Sequence, residues 1–352
     1  MKPNTMPHTL LPSVDSALPA PGAVLHHVLQ PLRPRQPVVQ MPGWHVLGRV
    51  LYGVADARVQ RQDQADVHVP LPAADGQLWQ ESWLSPTPVQ TLQHGQVLAR
   101  CNQQVLWGCF SLPLQANTAC TEAVQQRYLE LFELLQQSGF THLWRVWNFV
   151  SHINAPDVNG LETYRAFNQG RAAAFARFFD QGDQAMPWAT RKMPAATAVG
   201  CQGEGIYVYF LAGRQPARHI ENPRQQPAYH YPKAYGPRPP SFARASAVTL
   251  PQQRMLFISG TASIIGHSTV HVGDWAGQCH TTVDNLQIVA ARAGRTLQEM
   301  NHLKAYVRHA RDVPAVLALL HKLLGVPPER INCFVADICR QNLLVEVEAM
   351  QL

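Results

Sequence analysis

Between residues 121 and 138 the apolar positions Val124, Tyr128, Leu131, Phe132 and Leu135 recur at helical spacing, after Thr118 and Thr121 as candidate caps and before Gly139. The spacing predicts an amphipathic helix. The run from His142 to Val150 concentrates Leu143, Trp144, Val146, Trp147 and Phe149, is too short for a helix of its own, and predicts a buried strand. A loop through Asn154, Asp157 and Gly160 leads to a second helix that carries Tyr164, Phe167, Arg171, Phe175 and Phe178 to about Asp180.

The second half repeats this order. A helix with Val283, Leu286, Val289 and Ala293 ends at Gly294, a strand runs near Leu303 to His309, and a helix carries Val316, Leu319, Leu320 and Leu323. Gly139 and Gly294 are 155 positions apart, and the strand Val105 to Gly108 matches Leu256 to Gly260 at nearly the same offset. A repeat of that length is a duplicated domain. Each unit reads as strands, helix, strand, helix, strands, an α+β mixed sheet with both helices on one face. The bare sheet face must be covered by the other copy or by another subunit, and such an interface is a common place for a ligand. The expected organisation is a proline-rich N-terminal segment (1–40), an N-terminal domain (41–212), a connecting loop (213–245) and a C-terminal domain (246–352). The loop is dense in Pro, Tyr and Arg and is either a linker or an ordered segment over a site; its aromatics favour the ordered form.

Composition narrows the function. Of 352 residues, 46% are hydrophobic and 15% charged, enough for a real core, yet no window approaches the roughly 18 apolar residues of a membrane helix. The net charge of +6 comes from basic residues that occur singly, which argues against nucleic acid and leaves a solvated surface or a pocket where a few arginines hold an anionic small molecule. Seven cysteines without a C-x-x-C spacing point to a reducing compartment, and the first 40 residues lack the apolar core of a signal peptide, so a cytoplasmic protein is expected. Sixteen histidines include no H-E-x-x-H, and no metal is expected. Neither G-x-S-x-G nor the usual glycine-rich nucleotide motifs occur.

The strongest chemical candidate is the last strand, Leu343 to Glu348, whose alternation puts Glu346 and Glu348 on one face and Val345 and Val347 on the other. If that face is solvent, the strand is ordinary. If it is covered, like charge and burial leave one carboxyl protonated near neutral pH, able to act as a general acid. Cys339 and Arg340 sit in the turn before it. Ser259-Gly260-Thr261 follows the strand Met255 to Ile258, either as a plain turn or as a place where backbone approaches a ligand.

The runs Phe257 to Ser263, Gly266-His267, Gly273-Asp274 and Asp337 to Glu348, with Asn222-Pro223, Tyr231-Pro232 and Tyr235-Gly236-Pro237, resemble the chorismatases, most closely over about 220 to 350. The resemblance implies two related YjgF-like domains with a chorismate mutase-like barrel fold and cofactor-free cleavage of chorismate with release of pyruvate. It also implies that Glu346 is the acid that protonates the methylene carbon of the enolpyruvyl ether. A glycine at Gly260 and a cysteine at Cys339 resemble the hydroxybenzoate-forming type, giving 3-hydroxybenzoate, with 4-hydroxybenzoate as an accompanying product, in preference to hydrolysis to a dihydroxycyclohexadiene carboxylate. Arg244, then Arg340, are the candidates for the substrate carboxylates, with Tyr231, Tyr235 and Thr261 as further contacts. Arg330, 16 positions before Glu346, matches in spacing a carboxylate-binding arginine of the deaminase relatives. Two rivals stand beside this: an enamine/imine deaminase, and a non-catalytic small-molecule binding protein on the same fold. The oligomeric state stays open between a monomer and a homo-oligomer, a trimer included.

Overall fold

The computed structural model describes residues 21–32, 41–53, 66–180 and 193–352. Most of the proline-rich segment 1–40 lies outside them. Its described part includes a strand, β1 (His26–Pro31), which joins β2 (His45–Tyr52), β3 (Asp66–Val69) and β4 (Trp79–Ser85) in a four-stranded sheet that the hydrophobic pattern did not announce.

A second sheet follows from β5 (Gln90–His94), β6 (Val97–Cys101), β7 (Val105–Pro113), β8 (His142–Ser151), β9 (Ala195–Cys201) and β10 (Gly205–Gly213), with helices α1 (Thr121–Ser138) and α2 (Thr163–Asp180). The third contains β11 (Arg218–Ile220), β12 (Ala245–Thr249), β13 (Arg254–Ala262), β16 (His302–Val307), β17 (Ile331–Val335) and β18 (Val345–Gln351), with α3 (Trp275–Arg292) and α4 (Val313–Leu324). A two-stranded hairpin, β14 (Ile264–Ile265) and β15 (Ser268–Thr269), hangs from β13.

The duplication is visible in the connectivity. The second sheet runs β5-β6-β7-β10-β8-β9 and the third β11-β12-β13-β18-β16-β17, the same order with the same single parallel pair, β8 with β9 and β16 with β17. The small sheet runs β1-β4-β2-β3 with β2 and β3 parallel, which is the order of the last four strands of each larger sheet. It is a reduced third copy, without a helix among its described residues. The helices form where the sequence predicts them. Val124, Tyr128, Leu131, Phe132 and Leu135 are buried, and Gly139 closes α1 at φ 74. The expected threonine caps are not used: Cys120 is the N-cap, and the Thr121 hydroxyl turns to the carbonyl of Ala166 on α2.

Each helix pair covers the outer face of its sheet. The inner faces of all three sheets share one core, with Trp83, Trp107, Trp147, Tyr209, Phe257 and Phe334 among its members. The bare faces are thus covered by the other copy together with the small sheet. The sheets are stitched edge to edge by short bridges: Ala73 with Phe334, Ala195 with Ala243, and Val199 with Ile338. The 213–245 segment is ordered and less irregular than its sequence suggests, carrying β11 and single 3₁₀ turns at Ala228–His230 and Lys233–Tyr235.

The shared core is not wholly apolar. Glu81, Tyr209 and Glu348 lie on the equivalent strands β4, β10 and β18 and meet near its middle. The Lys304 ammonium donates to Glu81 at 2.7 Å, Tyr209 at 2.9 Å and Tyr52 at 3.1 Å, and lies 3.5 Å from Glu348. His27 Nε2 is 2.8 Å from Glu81. Burial opposes the Glu81 charge, but Lys304 and His27 outweigh it and hold the carboxyl well below the usual range. Lys304→Met would leave Glu81 without its cation in a closed core, so we expect a loss of about 3–5 kcal/mol in denaturant unfolding. Adding Glu81→Gln should recover part of that loss.

Candidate active site

β18 decides the site. Val345 and Val347 pack under the helices, and Glu346 and Glu348 are 3% and 4% exposed on the opposite, covered face. The solvent-face alternative for this strand is thereby excluded. Beside Glu346 opens a cavity of about 380 Å³, within the range of small-molecule sites. It lies where the second and third sheets meet. The floor is Gly260, Ala262 and Glu346, the 231–244 segment forms one wall, and Tyr164 and Arg165 of α2 form another.

Gly260 lies inside β13 and not in a turn after it. Ile258 pairs with Ala349 but Thr261 pairs with Val347, so β13 spends one extra residue against β18. This bulge reverses the alternation. Gly260 and Ala262 then face the cavity, and Thr261 points to the helix side, its hydroxyl donating to the carbonyl of Ser259. Thr261 therefore does not line the cavity. A Cβ at residue 260 would stand 2.0 Å from Oε1 of Glu346, so the glycine makes room for that carboxyl.

Arg244 is buried at one wall. Its Nη2 donates to the Tyr231 hydroxyl at 2.7 Å and to the carbonyl of Gln226 at 3.0 Å, while its Nε has no protein acceptor. Arg340 is anchored on the hairpin by the carbonyl of His267 at 2.8 Å, and its guanidinium sits 4.1 Å from the Tyr235 ring centroid and 5.3 Å from that of Tyr231. The two tyrosines thus hold the two cations on the cavity wall. Arg330 is elsewhere: it ends the 3₁₀ turn before β17 and donates to the carbonyls of Gln298 and Met300. Spacing from the acid does not put it on the same face.

Within the cavity lining the electrostatics mark Glu346. Glu346 has no hydrogen-bond donor among the described residues, and burial followed by the charge of Glu348 pushes its carboxyl up to about 8, against the pull of Arg145 and Arg244. Cys339 lines the same cavity, with its thiol pushed up to about 12 by burial and Glu346. It is a neutral thiol, not a nucleophile. Among the described residues no cluster of three metal-binding side chains occurs, and no helix is long and apolar enough to cross a membrane.

Sequence reasoning missed Tyr164, Arg165 and Phe242 in the cavity wall, and Arg145 and Thr197 beneath it. Arg145 had a usable signal, a lone charge inside the aromatic run Leu143 to Phe149. Tyr164, Arg165, Phe242 and Thr197 carried none.

The family profile for chorismatase FkbO/Hyg5-like N-terminal domains matches residues 81–212. A 3-hydroxybenzoate synthase of Streptomyces hygroscopicus is 42% identical over 65% of this chain and 69% of its own length. A chorismatase of the same organism is 38% identical over 87% of this chain and 89% of its own. The crystal structure of a chorismatase superposes with a TM-score of 0.82 at 33% identity, covering 94% of this chain and 99% of that one. With the sheet order, the seam cavity and these relatives in agreement, the chain belongs to the chorismatase family.

Proposed function

We propose that the protein converts chorismate to 3-hydroxybenzoate and pyruvate, with Glu346 as the general acid. The observation that carries the role of Glu346 is its isolation: a buried carboxyl at a cavity floor, without a donor, raised to about 8. An acid that hands a proton to carbon must be neutral at working pH, and this one is. Protonation of the enolpyruvyl methylene leaves an oxocarbenium-like centre. The bond between ring carbon and ether oxygen then breaks with its electron pair leaving on pyruvate, and the neighbouring ring hydroxyl closes onto that carbon with loss of its proton. Opening of the resulting epoxide at the other carbon, with loss of the ring hydrogen, aromatises the ring to 3-hydroxybenzoate. Chorismate and the two products contain the same atoms, so no water is consumed. Hydrolysis to the diol would take one water.

In this reading Arg244 and Arg340 bind the two carboxylates of the substrate, and Tyr231 and Tyr235 fix those guanidiniums while offering ring surface. Gly260 and Cys339 shape the space around the reacting carbon. No residue of the site needs a cofactor for these steps. Seven free cysteines suit a reducing compartment, and we assign the protein to the cytoplasm.

Glu346→Gln should fold and still bind chorismate but lose pyruvate release by at least about 10²-fold, read by a coupled pyruvate assay; undiminished turnover removes Glu346 from the mechanism. The active form is the protonated one. Turnover should therefore hold below pH 8 and fall as pH rises through about 8, roughly tenfold per unit beyond it. A rate that rises through that range would contradict an acid role. Gly260→Ala drives a methyl into the Glu346 carboxyl, and misplacement on this scale costs about 10² in rate. Chromatography of the aromatic products together with the pyruvate assay would register it.

A further inference from the structure

The carboxylate pair on β18 is divided very unequally. Oε1 of Glu348 accepts from Trp147 Nε1 at 2.8 Å and faces Lys304 Nζ at 3.5 Å; Oε2 accepts from Arg145 Nη2 at 2.7 Å and from the Thr197 hydroxyl. Glu346, two residues away on the same face, accepts from no described residue. Donors favour the ionised form of whichever carboxyl receives them. The four supports of Glu348 come from β8, β9 and β16, so three of them belong to the second sheet.

Thr197 links this to the bulge. Its hydroxyl has one proton, given to Glu348, and two acceptor positions, taken by Arg145 Nη2 and the Gly260 N–H at 3.0 Å. One atom therefore holds the fixed charge and the strand segment that clears space for Glu346.

We infer that Glu348, held by Arg145 and Thr197, is a positioning residue: it carries the permanent negative charge of the pair, so that the single proton rests on Glu346 facing the substrate. This rests on Glu346 being the acid, as proposed above. Other groups that face Glu346 are Arg244 before β12, Cys339 and Arg340 in the turn before β18, Tyr164 on α2 and Tyr306 opposite it on β16. None of them is altered in the variants below. A like charge at two-residue strand spacing shifts a buried carboxyl by roughly one to two pK units.

The test is the pH profile of kcat/KM on chorismate for the intact enzyme. It is paired with infrared titration of the protonated carboxyl band without substrate, assigned by its loss in Glu346→Gln. Glu348→Gln removes the negative neighbour and leaves Arg145 without its carboxylate, while Lys304 keeps Glu81. Its alkaline limb should move down by at least about one pH unit, a loss of about fivefold at pH 8 that approaches tenfold at higher pH, with the low-pH plateau and KM nearly kept. Arg145→Gln should move the limb in the opposite direction, and it carries the test by itself if Glu348→Gln does not fold. A uniform loss at every pH, with the limb and the infrared titration unmoved, would mean a structural role only and would overturn the inference. Wild-type protein that leaves chorismate untouched would instead sink the proposed reaction, whereas the infrared shift would still report on the pair.

Discussion

Closing three sheets around one interior forces their inner polar groups to satisfy one another, because no water is there to do it. Two carboxylates, Glu81 and Glu348, and two cations, Lys304 and Arg145, meet in that interior, each within ion-pair distance of an opposite charge. The set is neutral. A third carboxyl on the same face, Glu346, is in ion-pair contact with no described cation, and burial and the neighbouring Glu348 outweigh the more distant pull of Arg145 and Arg244, which favours keeping its proton. The acidity of the site is thus a consequence of charge balance in the core as much as of the cavity wall.

This explains why neither half is a complete unit. β18 and β13 supply the acid and its bulge, but Arg145, Trp147 and Thr197, which hold Glu348, come from the second sheet, and Glu81, which holds Lys304, comes from the reduced copy. Of the seams between copies, the one described here is roofed by α2 on one side and the proline and tyrosine segment on the other. The reduced copy has no helix among its described residues to play the part of α2. Three copies of one topology have therefore diverged, with one seam roofed for chemistry and a small sheet that serves mainly to close the interior.

The parts of the fold legible from sequence were those with a period long enough to count. Both helix pairs and the strands between them follow from spacing, and the 155-residue offset corresponds to identical strand orders. The reduced copy was not legible because its strands are only four to eight residues long and it lacks a helical pattern to mark it. For β18, alternation fixed which residues share a face but not what covers it, since a solvated and a buried polar face have the same period. Thr261 shows the complementary failure. Strict alternation from Phe257 puts it toward the cavity, and one inserted residue, visible only in the pairing register, reverses it. Lys304 and Arg145 carried the most accessible missed signal, single charges inside apolar strand runs, where an unpaired ion would be too costly to keep.

The protonated state of Glu346 is also consistent with what must enter beside it. A dianionic substrate in the cavity adds negative charge near the carboxyl, which favours its neutral form further. In the proposed reaction Arg244 and Arg340, both in the cavity lining, counter that charge. On that proposal, binding strengthens the hold of Glu346 on its proton while satisfying both guanidiniums. In the proposed mechanism, transfer to carbon leaves a carboxylate whose charge is opposed by Glu348 next to it and by burial, but attracted by the oxocarbenium-like centre it has created. The arrangement makes the ion-pair intermediate the state that best uses the extra negative charge, which is the differential binding that catalysis requires.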